Sequence, residues 1–501
     1  MSLRLFSLND SVNMQPKISQ GNEYEIEQSA QPRYSFFSPS GRVFPLLWLA
    51  ILIVYVLAGT EIVPFHGDES TQIYMSRDYA YQFIDHDFSK LAYSPTPTSP
   101  AEQELRLLNG TINKYLIGLS WHANGMSIND INEQWDWGAD WNYNQQNGHA
   151  PSTALLIAAR WPSALLLAAG VIVMFALGRA LGGKWTPYIA SLYYALNPAL
   201  LINGRRAMME GSFIFFSLLV VLVGIWLLEK PSMRRGILLG LVSGFALASK
   251  HTALFTVGAV FVAILLYLIY QSVRSEDDYS VVDYVLLPYL AIAAGIAFGT
   301  FFALNPAWWG DPAERAQTVL ELRQSLLAGQ TAAFGGYANF GDQLAGFLHQ
   351  SFIVTPQYYE ITSWQGYIGD QISRYEASVW RGVSIGGSVV GALIVCGIMA
   401  AGLWSIVRPN PNQQSDGKPV GGIRWLIGLW GLVTLVTTLV LTPLEWQRYY
   451  LPVYPVIGLV VALGVDWLIH NRETLLRRRS NLDAEVPLSS DDSRPDTLPE
   501  L

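Results

Sequence analysis

VFPLLWLAILIVYVLAGTEIV, residues 43–63, runs almost directly into His66-Gly67-Asp68-Glu69-Ser70. The first stretch is long enough to cross about 30 Å of hydrocarbon at a helical rise of about 1.5 Å per residue. The second sets two adjacent carboxylates at the mouth of that span, where charge is costly unless it has a partner or a task. Nine further apolar runs follow, at roughly 155–178, 186–203, 211–228, 236–250, 252–270, 283–304, 383–407, 423–443 and 450–469. The fifth of the ten, 236–250, is short for a span and reads as broken or tilted. These runs predict an all-α polytopic membrane protein of about ten transmembrane helices.

The composition agrees. Of 501 residues, 51% are hydrophobic and only 14% charged, outside the range of ordinary soluble domains and of disordered chains. Seventeen Trp and 25 Tyr suit a protein with two membrane–water boundaries to line. The single cysteine, Cys396, excludes an intramolecular disulfide. A net charge of −8, with no basic helix, argues against a nucleic-acid partner.

The Lys/Arg bias sets the expected orientation. With the N-terminus cytoplasmic, the short inner turns carry Arg179 and Lys184, then Lys230, Arg234 and Arg235, then Arg274, then Arg408, Lys418 and Arg424, and finally Arg477-Arg478-Arg479. The expected organisation is a solvated tail at 1–42, an N-terminal transmembrane module at 43–304 with a large outer loop at 64–153, a second outer loop at 305–382, C-terminal transmembrane helices at 383–470 and a cytoplasmic tail at 471–501. Both termini of this multi-pass plasma-membrane protein then face the cytosol. Asp68, Glu69, His149, Arg205, Arg206, Glu210, Lys250, His251, Asp311, Glu445 and Arg448 all fall on the outer side, although nothing in the orientation rule requires it.

Asp68 and Glu69 precede Ser70–Ile84, which reads as an amphipathic helix. Side chains at i and i+1 diverge by about 100°, so the two carboxylates should have different partners. One suits a general base; the other suits an acceptor or a divalent cation; an ordinary acidic helix cap is the bland alternative. Arg160 is either snorkelling or holding an anion. Trp135-Asp136-Trp137-Gly138-Ala139-Asp140-Trp141-Asn142-Tyr143-Asn144 suits sugar stacking, or an interfacial aromatic belt. Arg205 and Arg206 form the turn between two spans and could clamp a phosphate. Lys250 needs a counter-charge, from a lipid phosphate or from Glu210. Ala313–Gln330 carries Val319, Leu322, Leu326 and Leu327 at helical spacing, as in a helix lying on a membrane surface. Arg448, with Tyr449 and Tyr450, could line a headgroup pocket to which Glu210, His251, Asp311 and Glu445 also belong.

This order resembles the GT-C membrane glycosyltransferases, in the branch of protein O-mannosyltransferases and aminoarabinose-to-lipid-A transferases. The resemblance rests on the acidic pair Asp68-Glu69, on His149-Ala150-Pro151, on Ala159-Arg160, on the Gly-rich run Gly240–Lys250 and on Arg448-Tyr449-Tyr450-Leu451-Pro452, spread over most of residues 43–470. It departs from the family pattern at Ala150 and at His149, where the aminoarabinose branch has Lys. It implies inverting transfer of one sugar from a polyprenyl-phosphate carrier to an outer protein, lipid or glycan acceptor. Asp68 would then match the base, with His149, Arg160 and Lys250 on the carrier phosphate. Arg205, Arg206 and Arg448 offer further cations for the charge developing on the leaving phosphate. Metal dependence stays open, with Asp68 and Glu69 as the candidate ligands. Two rival readings are a transporter or flippase, which mid-span positions almost free of charge disfavour, and oligosaccharyltransferase-like transfer of a whole glycan. An inactive assembly subunit is a third.

Overall fold

The computed structural model describes residues 39–274, 281–353, 356–407 and 420–484. Most of the two expected tails, together with Arg408 and Lys418, lies outside them. The chain divides into Met1–Leu46 and Leu47–Leu501, and the described part of the first unit is the start of one helix. All regular structure among the described residues is helical.

Helix α1 (Pro39–Ala58) leads into short helices α2 (Gly67–Met75), α3 (Arg77–Tyr79), α4 (Pro100–Leu108), α5 (Thr111–Ala123) and α6 (Trp141–Gln146). The central bundle follows as α7 (Thr153–Leu181), α8 (Thr186–Leu196), α9 (Pro198–Arg205), α10 (Glu210–Glu229), α11 (Met233–Ser249), α12 (Ala253–Arg274) and α13 (Val281–Leu304). A second loop region holds α14 (Pro312–Phe334), α15 (Phe340–Phe352) and α16 (Gln365–Ala377), and the chain closes with α17 (Val389–Val407), α18 (Val420–Leu441) and α19 (Val453–Ala484). Helix α19 continues past 470, to Ala484.

Seven of the described helices are long and apolar enough to cross a membrane: α7, α10, α12, α13, α17, α18 and α19. The other three expected spans fall short for local reasons. The apolar part of α1 is only Val43–Ala58. The run 186–203 breaks at Asn197, whose side chain accepts the Leu200 N–H (3.1 Å) and caps a new helix with Pro198 in its first turn. Helix α11 is continuous over its 17 residues but short.

Small residues let the bundle close. Gly236, Gly240 and Gly244, four apart on α11, face α13 so closely that an added Cβ would lie 3.0, 2.7 and 2.8 Å from the carbonyl oxygens of Tyr289, Ala293 and Ala297. In lipid, such close backbone approach supplies the dispersion contacts that hold helices together, since burial from water contributes little there. Gly402 of α17 and Gly464 of α19 do the same across another pair, against Val460 and Ile398.

Arg205 joins the bundle to the second loop region. It is buried at the end of α9, where its Nε donates to Val56 O (2.7 Å) and its Nη2 to Tyr55 O (2.7 Å), two carbonyls at the end of α1. Its Nη1 donates to the Tyr375 hydroxyl (2.7 Å) and to Trp380 O (2.5 Å). A cation on orphaned helix-end carbonyls satisfies them and suits the negative end of the helix dipole. We expect Arg205→Met to leave these carbonyls buried and unpaired, at a cost on the order of 3 kcal/mol. Thermal unfolding in detergent checks it; an unchanged melting temperature would mean that α1 is held by something else.

Candidate functional site

Helix α2 opens on His66, which caps it from both sides. The Asp68 N–H donates to His66 Nδ1 (3.1 Å), and the His66 N–H donates to Glu69 Oε1 (3.1 Å). With Nδ1 accepting, the ring proton sits on Nε2, which donates to Glu360 Oε2 (2.6 Å). One capping box thus fixes the helix start, the histidine tautomer and a contact to the second loop region.

The adjacent carboxylates have different partners, as their divergence predicts. Glu69 is fully buried and receives Arg160 Nε (2.7 Å) and Nη2 (2.8 Å) in a bidentate pair. The Ala207 N–H (2.9 Å) and the His66 N–H complete its set. Burial works to raise its pKa, but Arg160, Arg206 and the Ala207 amide outweigh burial and hold it below the usual carboxylate range. Asp68 is about a quarter exposed, and its Oδ2 bonds Arg448 Nη1. Its Oδ1 accepts no hydrogen bond among the described residues, so one face of the carboxylate is open to an incoming group.

Arg448 lies between Asp68 and Glu360, with Nε 3.6 Å from Glu360 Oε1 and its guanidinium 4.8 Å above the Trp446 ring. Burial disfavours its charge, but Asp68 and Glu360 more than offset this and raise its pKa. Burial likewise acts to raise Glu360, and His66, Arg448 and Arg206 bring it well below the ordinary value. Glu210 also acts on Arg448, and its Oε1 receives Lys250 Nζ (3.0 Å), so the acidic and basic groups form one connected cluster.

Arg323 completes it. This half-buried side chain on α14 lies within electrostatic reach of Tyr449, Arg448 and His251, and it makes no hydrogen bond or ion pair among the described residues. Burial lowers its pKa, yet an arginine keeps its charge. The adjoining apolar stripe of α14 is anchored by Val319 and Leu322, which pack with Leu107 of the first loop region and with Ala307. Tyr449 donates its hydroxyl to Gln330, also on α14 (3.0 Å).

Most of the other expected site residues are engaged by their surroundings. Arg160 is spent on Glu69, and Arg205 on the α1 carbonyls. Arg206 donates Nε to Pro64 O (3.0 Å) and Nη2 to Tyr358 O (2.7 Å), and is buried. All three guanidinium groups are buried and bonded to protein groups. His149 points Nδ1 at Gln134 O and packs on Tyr143, with no contact to Asp68 or Arg448. Asp311 caps α14 by accepting the N–H groups of Ala313 (3.0 Å) and Glu314 (2.9 Å). Glu445 pairs with His349 (2.5 Å) and Gln350 (3.1 Å), and Tyr450 meets the Tyr337 hydroxyl (2.7 Å). His251 does border the cluster, but burial holds its pKa down at about 4, so it is neutral near pH 7. Glu69 has no oxygen left for a cation, so a metal shared by Asp68 and Glu69 does not fit the donor set.

His66, Arg323 and Glu360 are the residues that sequence reading left without a role. Arg323 had one signal: it adjoins Leu322 and follows Val319 by four, so it lies at the edge of the apolar stripe of α14. Glu360 stands in irregular backbone and had none.

A family model described as dolichyl-phosphate-mannose-protein mannosyltransferase matches residues 107–304. The segment contains Arg160, Arg206, Glu210 and Lys250 but neither Asp68 nor Arg448, and the match bears out the resemblance read from the sequence. No curated protein matches the chain. Among solved structures, the chain is similar to the S. cerevisiae protein O-mannosyltransferase Pmt1-Pmt2 complex bound to the sugar donor, with 16% identity, TM-score 0.38, and 52% of this chain and 33% of that one covered. It is similar to ArnT from Cupriavidus metallidurans in the apo state, with 12% identity, TM-score 0.45, and 84% and 59% covered. It is also similar to the oligosaccharyltransferase AglB from Archaeoglobus fulgidus, with 12% identity, TM-score 0.48, and 89% and 52% covered. The chain therefore spans between a third and three fifths of the length of these proteins.

Two outcomes follow from the geometry. Glu69→Gln leaves Arg160 buried without its counter-charge and should cost about 3–5 kcal/mol, with little folded protein recovered, while Asp68→Asn should fold normally. Equal recovery of the two variants would remove the anchoring role. The pH dependence has a definite sign. Glu69 and Glu360 have lowered pKa values in the folded state, so their stabilisation is complete above the unfolded carboxylate range of about 4–4.5 and drains away as pH falls through the lowered values. Melting temperature should fall below about pH 4, and Glu360→Gln should flatten that slope.

Proposed function

We propose that the chain is a membrane glycosyltransferase that moves one sugar from a polyprenyl-phosphate carrier to an acceptor hydroxyl, with inversion. The observation that carries this reading is an open carboxylate oxygen on Asp68, bonded through its other oxygen to Arg448, with Arg323 within electrostatic reach of that same Arg448 and without an ion pair among the described residues. The donor class comes from the family description matched over 107–304. The charge balance supports it. Arg160, Arg206, Arg323, Arg448 and Lys250 gather with Asp68, Glu69, Glu210 and Glu360, so five Arg and Lys side chains stand against four carboxylates. The single excess positive charge matches the one negative charge of a sugar phosphodiester.

In the proposed step the acceptor oxygen attacks the anomeric carbon as the bond from that carbon to the carrier phosphate oxygen breaks. The bonding pair leaves with the phosphate, and the hydroxyl proton passes to Asp68 Oδ1. Arg448, bonded to Asp68 Oδ2, holds the carboxylate in position for that transfer. The leaving phosphate gains charge as the bond breaks, so Arg323 and Lys250 stabilise the transition state more than the bound donor. No step needs a metal. The carrier's apolar tail lies along the membrane helices. The cluster faces the side of the membrane opposite the Lys/Arg-rich turns at Arg179–Lys184 and Lys230–Arg235, with both termini cytoplasmic.

Asp68→Asn should lower kcat by about 10²–10⁴, the usual worth of a general base, with little change in donor KM. Arg323→Gln should lower kcat/KM for the donor about tenfold, mainly through kcat, the equivalent of about 1.4 kcal/mol. Both are read with a synthetic polyprenyl-phosphate sugar in nanodiscs. Turnover near normal in Asp68→Asn would sink the assignment.

A further inference from the structure

Behind the acidic pair stands an aromatic cluster that the reaction above does not use. Trp135 and Trp364 are buried, and Trp137 stacks on Trp364 at 5.8 Å and 20°. Trp141 stacks on Tyr367 at 5.2 Å and 10°. Trp137 and Tyr367 each have one face against a ring neighbour, and they are 47% and 43% exposed. The cluster is wired to the base: the Trp364 ring meets the His66 ring edge-on at 5.2 Å. Gly67, immediately before Asp68, lies under the rings, where a Cβ would stand 2.9 Å from Trp364 and 3.1 Å from Trp137.

Three features narrow what such a surface takes. Between Tyr115 and Ala159 the sequence has no Lys or Arg, and it carries Asp130, Glu133, Asp136 and Asp140, so an anionic acceptor is repelled. There is no strand among the described residues, hence no open sheet edge to hold an extended peptide by its main chain. Exposed flat rings stack on the C–H face of a pyranose, and Asp136 and Asp140, whose Oδ1 atoms accept the Gly138 (2.8 Å) and Tyr143 (2.7 Å) N–H groups, keep Oδ2 as an acceptor for its hydroxyls. An idle aromatic belt does not need contact with the backbone beside the base.

We propose that Trp137 and Tyr367 form the acceptor subsite and that the acceptor is a neutral saccharide, whose free hydroxyl is presented to Asp68. This rests on the reading of Asp68 as the base of a glycosyltransferase. The stacked rings set the height of the sugar, and Asp136 and Asp140 set its rotation.

The test uses the full chain in nanodiscs and two neutral probes, mannotriose and maltotriose. Beside them run a Ser/Thr-rich peptide and vesicles containing brominated anionic lipid. Saturable change in tryptophan fluorescence with at least one trisaccharide is expected, weakened about tenfold in Trp137→Ala. Tyr367→Ala gives a second reading should the first variant fail to fold. No trisaccharide binding at millimolar concentration, or binding unchanged in both variants, overturns the proposal. So does peptide binding that depends on Trp137, or quenching of Trp137 by the brominated lipid. Asp68→Asn separates the two readings: saccharide binding with no sugar transfer is expected of it, whereas turnover in Asp68→Asn would count against the base and not against the subsite.

Discussion

The site depends on a buried carboxylate and a buried guanidinium that have no other use. Glu69 and Arg160 tie the first turn of α2 to α7, and the Ala207 amide brings in the turn between α9 and α10. Three segments far apart in sequence are therefore fixed at one point. Two buried ions in this setting barely repay their desolvation, so the pair is poorly explained as a source of stability. It is better explained as a fixture: with Glu69 held by four hydrogen bonds, its neighbour Asp68 can stand only in one direction.

From that fixture the division of labour among charged groups follows. Arg160, Arg205 and Arg206 are engaged by Glu69 or by backbone carbonyls, Arg448 and Lys250 meet Asp68, Glu360 and Glu210, and Arg323 makes no ion pair among the described residues. The difference lies in what remains unpaired after the fold has taken its share. It separates Arg205 from Arg323, although both are arginines at helix positions near the same end of the bundle.

Much of this was legible from the sequence and some was not, for identifiable reasons. Apolar runs located the helices, because length and hydropathy are local properties. They overstated the spans where Asn197 and Pro198 restart a helix and where Gly59 ends α1 beneath Arg205. The acidic pair was recognisable because Asp-Glu after an apolar run is costly. Arg205 and Arg206 were read as a phosphate clamp because a doublet of arginines between spans looks unpaired; their partners are backbone carbonyls, which leave no trace in residue identity. Glu360 and Arg323 come from the second loop region, and only the tertiary fold brings them to Asp68.

The contact between His66 and Glu360 has a mechanical meaning. The imidazole that starts α2 gives its only proton to a residue in the second loop region, while its other nitrogen holds the Asp68 amide. Lifting the 360 region to admit a bulky molecule thus strips the histidine of its partner and loosens the first turn of α2. Displacing the 360 region and releasing the Asp68 amide from its fixed direction are therefore one motion.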